Sequence, residues 1–385
     1  MTLYDDKTGI PTVVGQGPAS SATTRQGLRP FSRSDAKKLV HDLLAPKPAV
    51  YWIDLLITIF IGYGCAALYA TAPAFSPLQI VAFLVAGPAL FRAGIFIHEI
   101  VHREEDSMAG FRIAWNLFVG TPLLMHSLLY RNHLDHHHPR KFGTPADGEY
   151  LPLGSAPVRE TLLYLAQVPV LPPLTIFRFL VLVPLSFLHP RLRRWVLERW
   201  SSYIINPYYR RVVPSTEPQG AWMVWDLLGF LWVVVVIALL YVGWITWTTI
   251  GLLYCLVVYT IGLNWVRNLV AHRYINPGRR MTYEEQVEDS LTIAERSLLT
   301  LILFPVGLQF HTLHHAFPLM PYHSMAEAHR RLMEGLPEDS VYRSTVMPSY
   351  WTAIRELLRG EQLASKAGSN PMQAWRHPET ASYAR

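Results

Sequence analysis

The stretch Gln309-Phe310-His311-Thr312-Leu313-His314-His315 decides how the chain is read. It follows an apolar run, and on a helix its histidines at i, i+3 and i+4 share one face about a turn apart, so they can converge on a single point. The same spacing recurs in His133-Leu134-Asp135-His136-His137, and an i, i+4 pair stands in His98-Glu99-Ile100-Val101-His102. Each cluster adjoins a long hydrophobic segment. That repetition points to a metal site rather than to scattered surface histidines.

The rest of the composition says where such a site would sit. Of 385 residues 51% are apolar, with 12 Trp and 19 Tyr, which is too hydrophobic for an ordinary soluble enzyme and rich in the aromatics that favour bilayer interfaces. The chain therefore reads as a polytopic membrane protein. A net charge of +6 raises the question of nucleic acid, but Lys and Arg fall between apolar spans with no dense basic tract, so membrane orientation accounts for them. Cys65 and Cys255, the two cysteines, both lie in expected spans and offer neither a disulfide framework nor a thiolate metal site.

In chain order, residues 1–32 read as a polar, disordered tail without a signal-peptide core. Ser34 is expected to cap a short helix through Leu44 whose apolar side rests on the membrane surface. Spans are expected at Tyr51–Ala70, Leu78–Ile97, Trp222–Tyr241 and Trp247–Val266, each long enough for a hydrocarbon core of roughly 30 Å. The links 71–76 and 242–246 carry no Lys or Arg, whereas Arg25, Arg29, Arg33, Lys37, Lys38 and Lys47 precede the first span. The tail, both termini and every histidine cluster then face the cytoplasm.

Arg92, about 9 Å of helix below His98, is expected to snorkel or to pair internally. Met108–Leu129 and Thr161–Leu188 are apolar but broken by Pro, Gly and charge; crossing would separate the clusters, so both read as interfacial or re-entrant segments. Ser297–Phe310 reads as a short buried or interfacial helix, and His323–Leu358 as amphipathic, ending at Gly360 before a polar tail. The expected fold is all-α: four transmembrane helices under a cytoplasmic helical cap that carries the histidines. Its parts are a tail at 1–48, a membrane domain at 49–335 and a C-terminal segment at 336–385.

The one-face histidines are His98, His102, His133, His136, His137, His272, His311, His314 and His315. Nine nitrogen donors exceed what one tetrahedral zinc takes, so two metal ions are expected, and imidazole alone does not choose between iron, copper, nickel and zinc. Asn268, at i, i+4 before His272, could hold a metal-bound water. Glu99, Glu104, Glu105, Asp106, Asp135, Asp147 and Glu149 crowd the same segments, where carboxylates would orient the rings and reduce the charge of the ions. His138 breaks the register; His126, His323 and His329 stand close by in sequence; His41, His189 and His377 look like surface groups.

The ordered boxes HEIVH, HLDHH and HTLHH, with Asn268-Leu269-Val270-Ala271-His272, resemble those of the membrane fatty-acid desaturase superfamily over about Tyr51–His329. The resemblance implies a non-haem centre of two iron ions that uses O2, electrons from outside, and the nine histidines as ligands with Asn268 acting through water. Acid-base chemistry cannot remove hydrogen from an unactivated methylene, so a strong oxidant is required. No HPGG haem signature and no cysteine cluster is present, which implies a separate ferredoxin or cytochrome with its reductase.

The expected reaction is desaturation of a fatty-acyl or other lipid chain, in a bacterial inner membrane. The alternative is a hydroxylase or ketolase of the same superfamily acting on an alkane, lipid or carotenoid. The membrane alkane hydroxylases are similar at HE in the first box, Gly143-Thr144-Pro145-Ala146-Asp147 after the second and Leu308-Gln309 before the third. A histidine-rich metal transporter or receptor is the distant alternative, but it would place such groups near the midplane of its spans rather than at their exits.

Overall fold

A computed structural model of the chain describes residues 27–103 and 107–377, with a two-residue strand pair at Leu3–Tyr4 and Pro11–Thr12. The expected tail before residue 27 and the carboxylates Glu104, Glu105 and Asp106 lie outside the described side chains.

Among the described residues four helices are long and apolar enough to cross a membrane: Pro48–Thr71, Pro77–His102, Gln219–Tyr241 and Trp247–Asn268. Their ends follow from local chemistry. Pro48 and Pro77 sit at the start, where a missing N–H costs nothing; the Ser76 hydroxyl accepts from Gln79 N at 3.2 Å, and that of Thr246 from Thr249 N at 3.1 Å. The link from the third helix to the fourth turns at Gly243, whose φ of 78° suits a residue without Cβ. The second helix is the pillar of the bundle. Gly62 of the first helix meets Leu90 on it, and its own Gly87 lies so close to the Tyr259 ring of the fourth that a Cβ there would come within 2.1 Å. The outer faces stay apolar, with Phe60 80% and Val81 57% exposed, as suits contact with lipid tails.

Arg92 is internally paired: its Nε donates to Asp54 Oδ1 of the first helix at 2.9 Å, and Asp54 also accepts from Tyr322 Oη at 2.8 Å. The broken apolar segments become short turns of helix, Ala109–Trp115 and then Asn116–Gly120 in π geometry, and a pair, Val158–Ala166 and Leu171–Ser186, bent by 47°. The histidines at the end of the second helix, at 133–137 and just beyond the fourth helix all meet. With the four long helices as the crossings, an even number separates any two of these clusters.

Local expectations are corrected at several places. Ser32, not Ser34, caps the first short helix, Arg33–Val40, by accepting from Asp35 N at 3.3 Å. The apolar side of that helix packs within the protein: Phe31, Ala36 and Val40 lie with Leu313, Ala316, Ala328 and Leu332, and Arg331 bridges to Asp42 at 2.7 Å. The C-terminal helix, Tyr350–Ala367, runs through Gly360 and stops at Gly368, whose φ is 65°. Gly360 is there for contact, since a Cβ would stand 2.1 Å from the Gly154 carbonyl oxygen. Beyond it the expected polar tail is partly core. Trp375 is fully buried and donates from Nε1 to Tyr150 O at 3.0 Å, in one core with Phe96, Trp115 and Phe142.

Candidate metal centre

Four pieces of chain deliver the histidines. His98 and His102 occupy the last turns of the second spanning helix, and His133 and His136 the helix His133–His136 with His137 at its end. His311, His314 and His315 lie on the helix His311–Ala316. His272 comes from an extended segment past the fourth helix that bridges Ser290, while Thr292 bridges Phe310 just ahead of His311. Thr292–Ile293 also pairs with Val346–Met347, which ties both approaches to the C-terminal segment.

The rings form two groups whose donor atoms lie within 4.8 Å of one another: His98, His102, His133 and His314; and His136, His272, His311 and His315. His137 joins the first, its Nε2 3.0 Å from that of His133 and 2.9 Å from that of His314. The expectation that each HxxHH box aims at one point is thereby corrected. Residues i and i+4 differ by about 40° around a helix, but i+3 and i+4 differ by about 100°. His133 and His137 therefore serve the first group while His136 turns to the second, and His311 and His315 serve the second while His314 turns to the first.

Carboxylates fix the outward nitrogens of two of the rings. His136 Nδ1 donates to Asp147 Oδ2 at 2.9 Å and His133 Nδ1 to Glu149 Oε1 at 2.9 Å; His272 Nδ1 lies 3.4 Å from both Asp289 Oδ2 and Ser290 Oγ. Asp147 is itself held by the Gly143 N–H at 3.0 Å, and Glu149 accepts from Tyr130 Oη at 2.9 Å. Glu99 and Asp135 turn elsewhere, to Tyr51 with Arg103 and to Lys141 with Tyr209. Tyr130, Asp289 and Ser290 were missed from the sequence. Tyr130 had a readable signal, standing one turn ahead of His133, whereas Asp289 and Ser290 come near only through the bridge to His272.

This hydrogen bonding tests whether metal ions fit. With Nδ1–H committed outward, His136 and His272 each present an Nε2 lone pair inward, and those atoms are 3.1 Å apart. Two lone pairs so close call for a positive charge between them, a metal ion or, without one, the proton that Asp147 favours on His136. His102 Nε2 is buried without a hydrogen-bond partner beside the first group. Burial, followed by neighbouring imidazoles, pushes His133, His137, His314 and His315 well below the usual range, so they are neutral donors near pH 7. Burial takes His272 down to about 4, opposed by Asp289. Burial also opposes charge on His136, but Asp147 outweighs it and raises this ring. Burial pushes Glu149 up to about 7, opposed by His136 and Tyr130. Either group can hold a metal ion.

The other candidates lie elsewhere. His126 Nε2 is 3.2 Å from Asp226 Oδ1, His323 Nε2 accepts from Lys47 N at 3.1 Å, and His329 Nδ1 is 2.8 Å from Tyr342 Oη. His41 and His138 are exposed, and His189 caps its own helix by accepting from Arg191 N at 3.1 Å. Asn268 is the last residue of the fourth helix, which stops short of His272, and its carbonyl accepts from Tyr274 Oη at 2.8 Å.

Comparison with known proteins agrees with this geometry. The fatty acid desaturase family model matches residues 75–346, a stretch that contains all nine histidines. A ceramide hydroxylase of Caulobacter vibrioides (strain NA1000 / CB15N) is 40% identical over 333 residues, 84% of this chain and 92% of the relative. No solved structure matches the chain. With four membrane-capable helices, two groups of histidines able to hold metal ions and a match over more than half its length, the chain belongs to the fatty acid desaturase family, as a membrane-bound di-iron oxidoreductase.

Proposed function

We propose that this enzyme is an O2-dependent hydroxylase of a ceramide-like lipid. The observation that carries the reading is the 40% identity to a ceramide hydroxylase across 92% of that relative, on a chain whose nine histidines gather in two groups. His98, His102, His133, His137 and His314 would hold one iron ion, and His136, His272, His311 and His315 the other. Asn268, one helical turn before His272 in sequence, belongs to the set as the holder of a bound water. When bound, the iron pair supplies the oxidising power to replace an unactivated C–H by C–OH, with O2, two electrons and two protons consumed and water released.

The chain's own residues do the rest. Asp147, Glu149 and Asp289 set the ring orientations and bring negative charge to an otherwise neutral shell. The apolar faces of the four helices admit a lipid from the bilayer. The electrons come from a separate ferredoxin or cytochrome. The histidine side faces the cytoplasm of a bacterial cell: Arg29, Arg33, Lys37, Lys38 and Lys47 precede the first span on that side, while the far links 72–76 and 242–246 carry no Lys or Arg.

Desaturation, the first expectation from the boxes, would use the same centre with the chain held slightly differently. The relative moves the reading to oxygen insertion. The test is mass spectrometry of total lipids from an expressing host supplied with a reductase, comparing the intact protein with His314→Ala. A histidine-dependent lipid gaining one oxygen is expected; one lighter by two hydrogens would restore desaturation.

A further inference from the structure

Five Asp, Glu, Lys and Arg side chains lie within the four spanning helices: Asp54, Arg92, Glu99, Asp226 and Arg267. Four have charged partners. Asp54 pairs with Arg92, Glu99 with Arg103 at 3.3 Å, and Asp226 with Arg178 at 2.8 Å and Arg193 at 2.7 Å. Arg267, 6% exposed in the last turn of the fourth helix, has no ion pair among the described residues. Its Nη2 donates to Asn264 Oδ1 at 2.9 Å, and its Nε is buried with no acceptor.

The polar groups around it make no hydrogen bond to that Nε. Those that bear most on its charge are Tyr130, Tyr274, Tyr164 and Glu149. Tyr130 donates to Glu149, Tyr164 to Trp265 O and Tyr274 to Asn268 O, while Glu149 accepts from Tyr130 and His133. The helix C-terminus favours a cation, but too weakly to offset its burial, and two metal ions among the histidines would add repulsion. An ionisable group within a span that lacks a partner marks a place where a ligand supplies one.

We infer that Arg267 is a substrate-binding residue that receives the carbonyl oxygen of an acyl lipid, an amide in preference to a bare hydrocarbon. This rests on the lipid hydroxylase reading and adds to it. Arg267 lies at the histidine end of the fourth helix, and a lipid that enters from the bilayer to reach the histidines brings there the oxygen of its acyl linkage. The guanidinium fork offers parallel N–H donors, so it sets the direction as well as the position of the carbonyl. Arg267 lies five residues before His272, so the oxidised carbon is expected a short, fixed distance from the carbonyl rather than far along the chain.

The experiment uses the full chain in detergent, with metal content measured on every sample. Binding of a brominated N-acyl amino alcohol and a brominated alkane of equal chain length is read by quenching of tryptophan fluorescence. The intact protein is expected to bind the amide about tenfold or more tightly, a preference typical of a site built around a polar group. Arg267→Met is expected to lose the preference with its metal content retained, and Arg267→Lys to keep part of it. Equal binding of amide and alkane by the intact protein would overturn the inference, even if the variants do not fold. So would an undiminished preference in metal-loaded Arg267→Met. A clear preference without any oxygenated product would instead leave Arg267 in place and overturn the hydroxylase reading.

Discussion

His314 and His315 are neighbours in the chain, yet they serve opposite halves of the centre: His314 Nε2 lies 2.9 Å from that of His98, and His315 Nε2 lies 3.2 Å from that of His311. One short helix is thereby the wall between two donor sets, and the two HxxHH boxes are mirror images in use. Each box sends its i, i+4 pair to one set and its i+3 histidine to the other.

That division predicts metal stoichiometry. His314→Ala removes a donor from the set with five histidines, and His315→Ala one from the set with four. Elemental analysis should find the second variant to be the more depleted, falling from about two ions per chain to about one, because four imidazoles are what a stable tetrahedral site needs and three leave it open. Equal loss from both variants would mean that the sets are not independent.

Asp147 should matter more than its distance from any substrate suggests. Asp147→Asn keeps the shape but replaces the carboxylate that accepts from His136 Nδ1 at 2.9 Å and from Gly143 N at 3.0 Å. Loss of such an outer partner costs about 10- to 100-fold in metal affinity or activity. Iron titration of the apo-protein checks this, with Asp135→Asn, whose residue pairs with Lys141 instead, expected near the intact value.

A prediction about folding rests on Gly360. Alanine there would bring a Cβ to 2.1 Å from the Gly154 carbonyl oxygen and force the C-terminal helix off the core. Overpacking of this kind costs about 1–3 kcal/mol. Thermal unfolding in detergent should register it for Gly360→Ala and not for Gly251→Ala, where nothing lies within 4 Å.

The Asp54–Arg92 pair ties the first spanning helix to the second and, through Tyr322, to the segment after the third box. Asp54→Asn leaves Arg92 uncompensated inside a span. The expected cost is up to about 3 kcal/mol, at the lower end for a broken buried pair because both side chains keep some exposure. Replacing both, as Asp54→Asn with Arg92→Met, should recover part of the lost thermal stability.

The sequence made the frame legible because membrane spans and helical histidine spacing are local signals. The four spans appear within a few residues of their expected ends, the largest difference being the second helix, which continues past Ile97 to carry the first box to His102. All nine histidines chosen by spacing are brought together. What stayed hidden depends on tertiary contact. Spacing shows that three rings share a face, but not that a second metal group divides them. Asp289 and Ser290 approach His272 only through a bridge between distant segments. Gly360 looked like a helix stop because its role is to admit the Gly154 carbonyl, a contact across 206 residues of chain. Ser34 and Ser32 are equally good caps by type, and only the backbone shows which one accepts.

The central claim is that oxygen from O2 enters a lipid at this centre. The most direct measurement is mass spectrometry of lipid turned over by the purified, iron-loaded chain under isotopically labelled O2, with a ferredoxin and its reductase and an N-acyl amino alcohol as substrate. The account predicts a product carrying one labelled oxygen, absent without reductant and absent in His314→Ala. A product lighter by two hydrogens and carrying no label would contradict it.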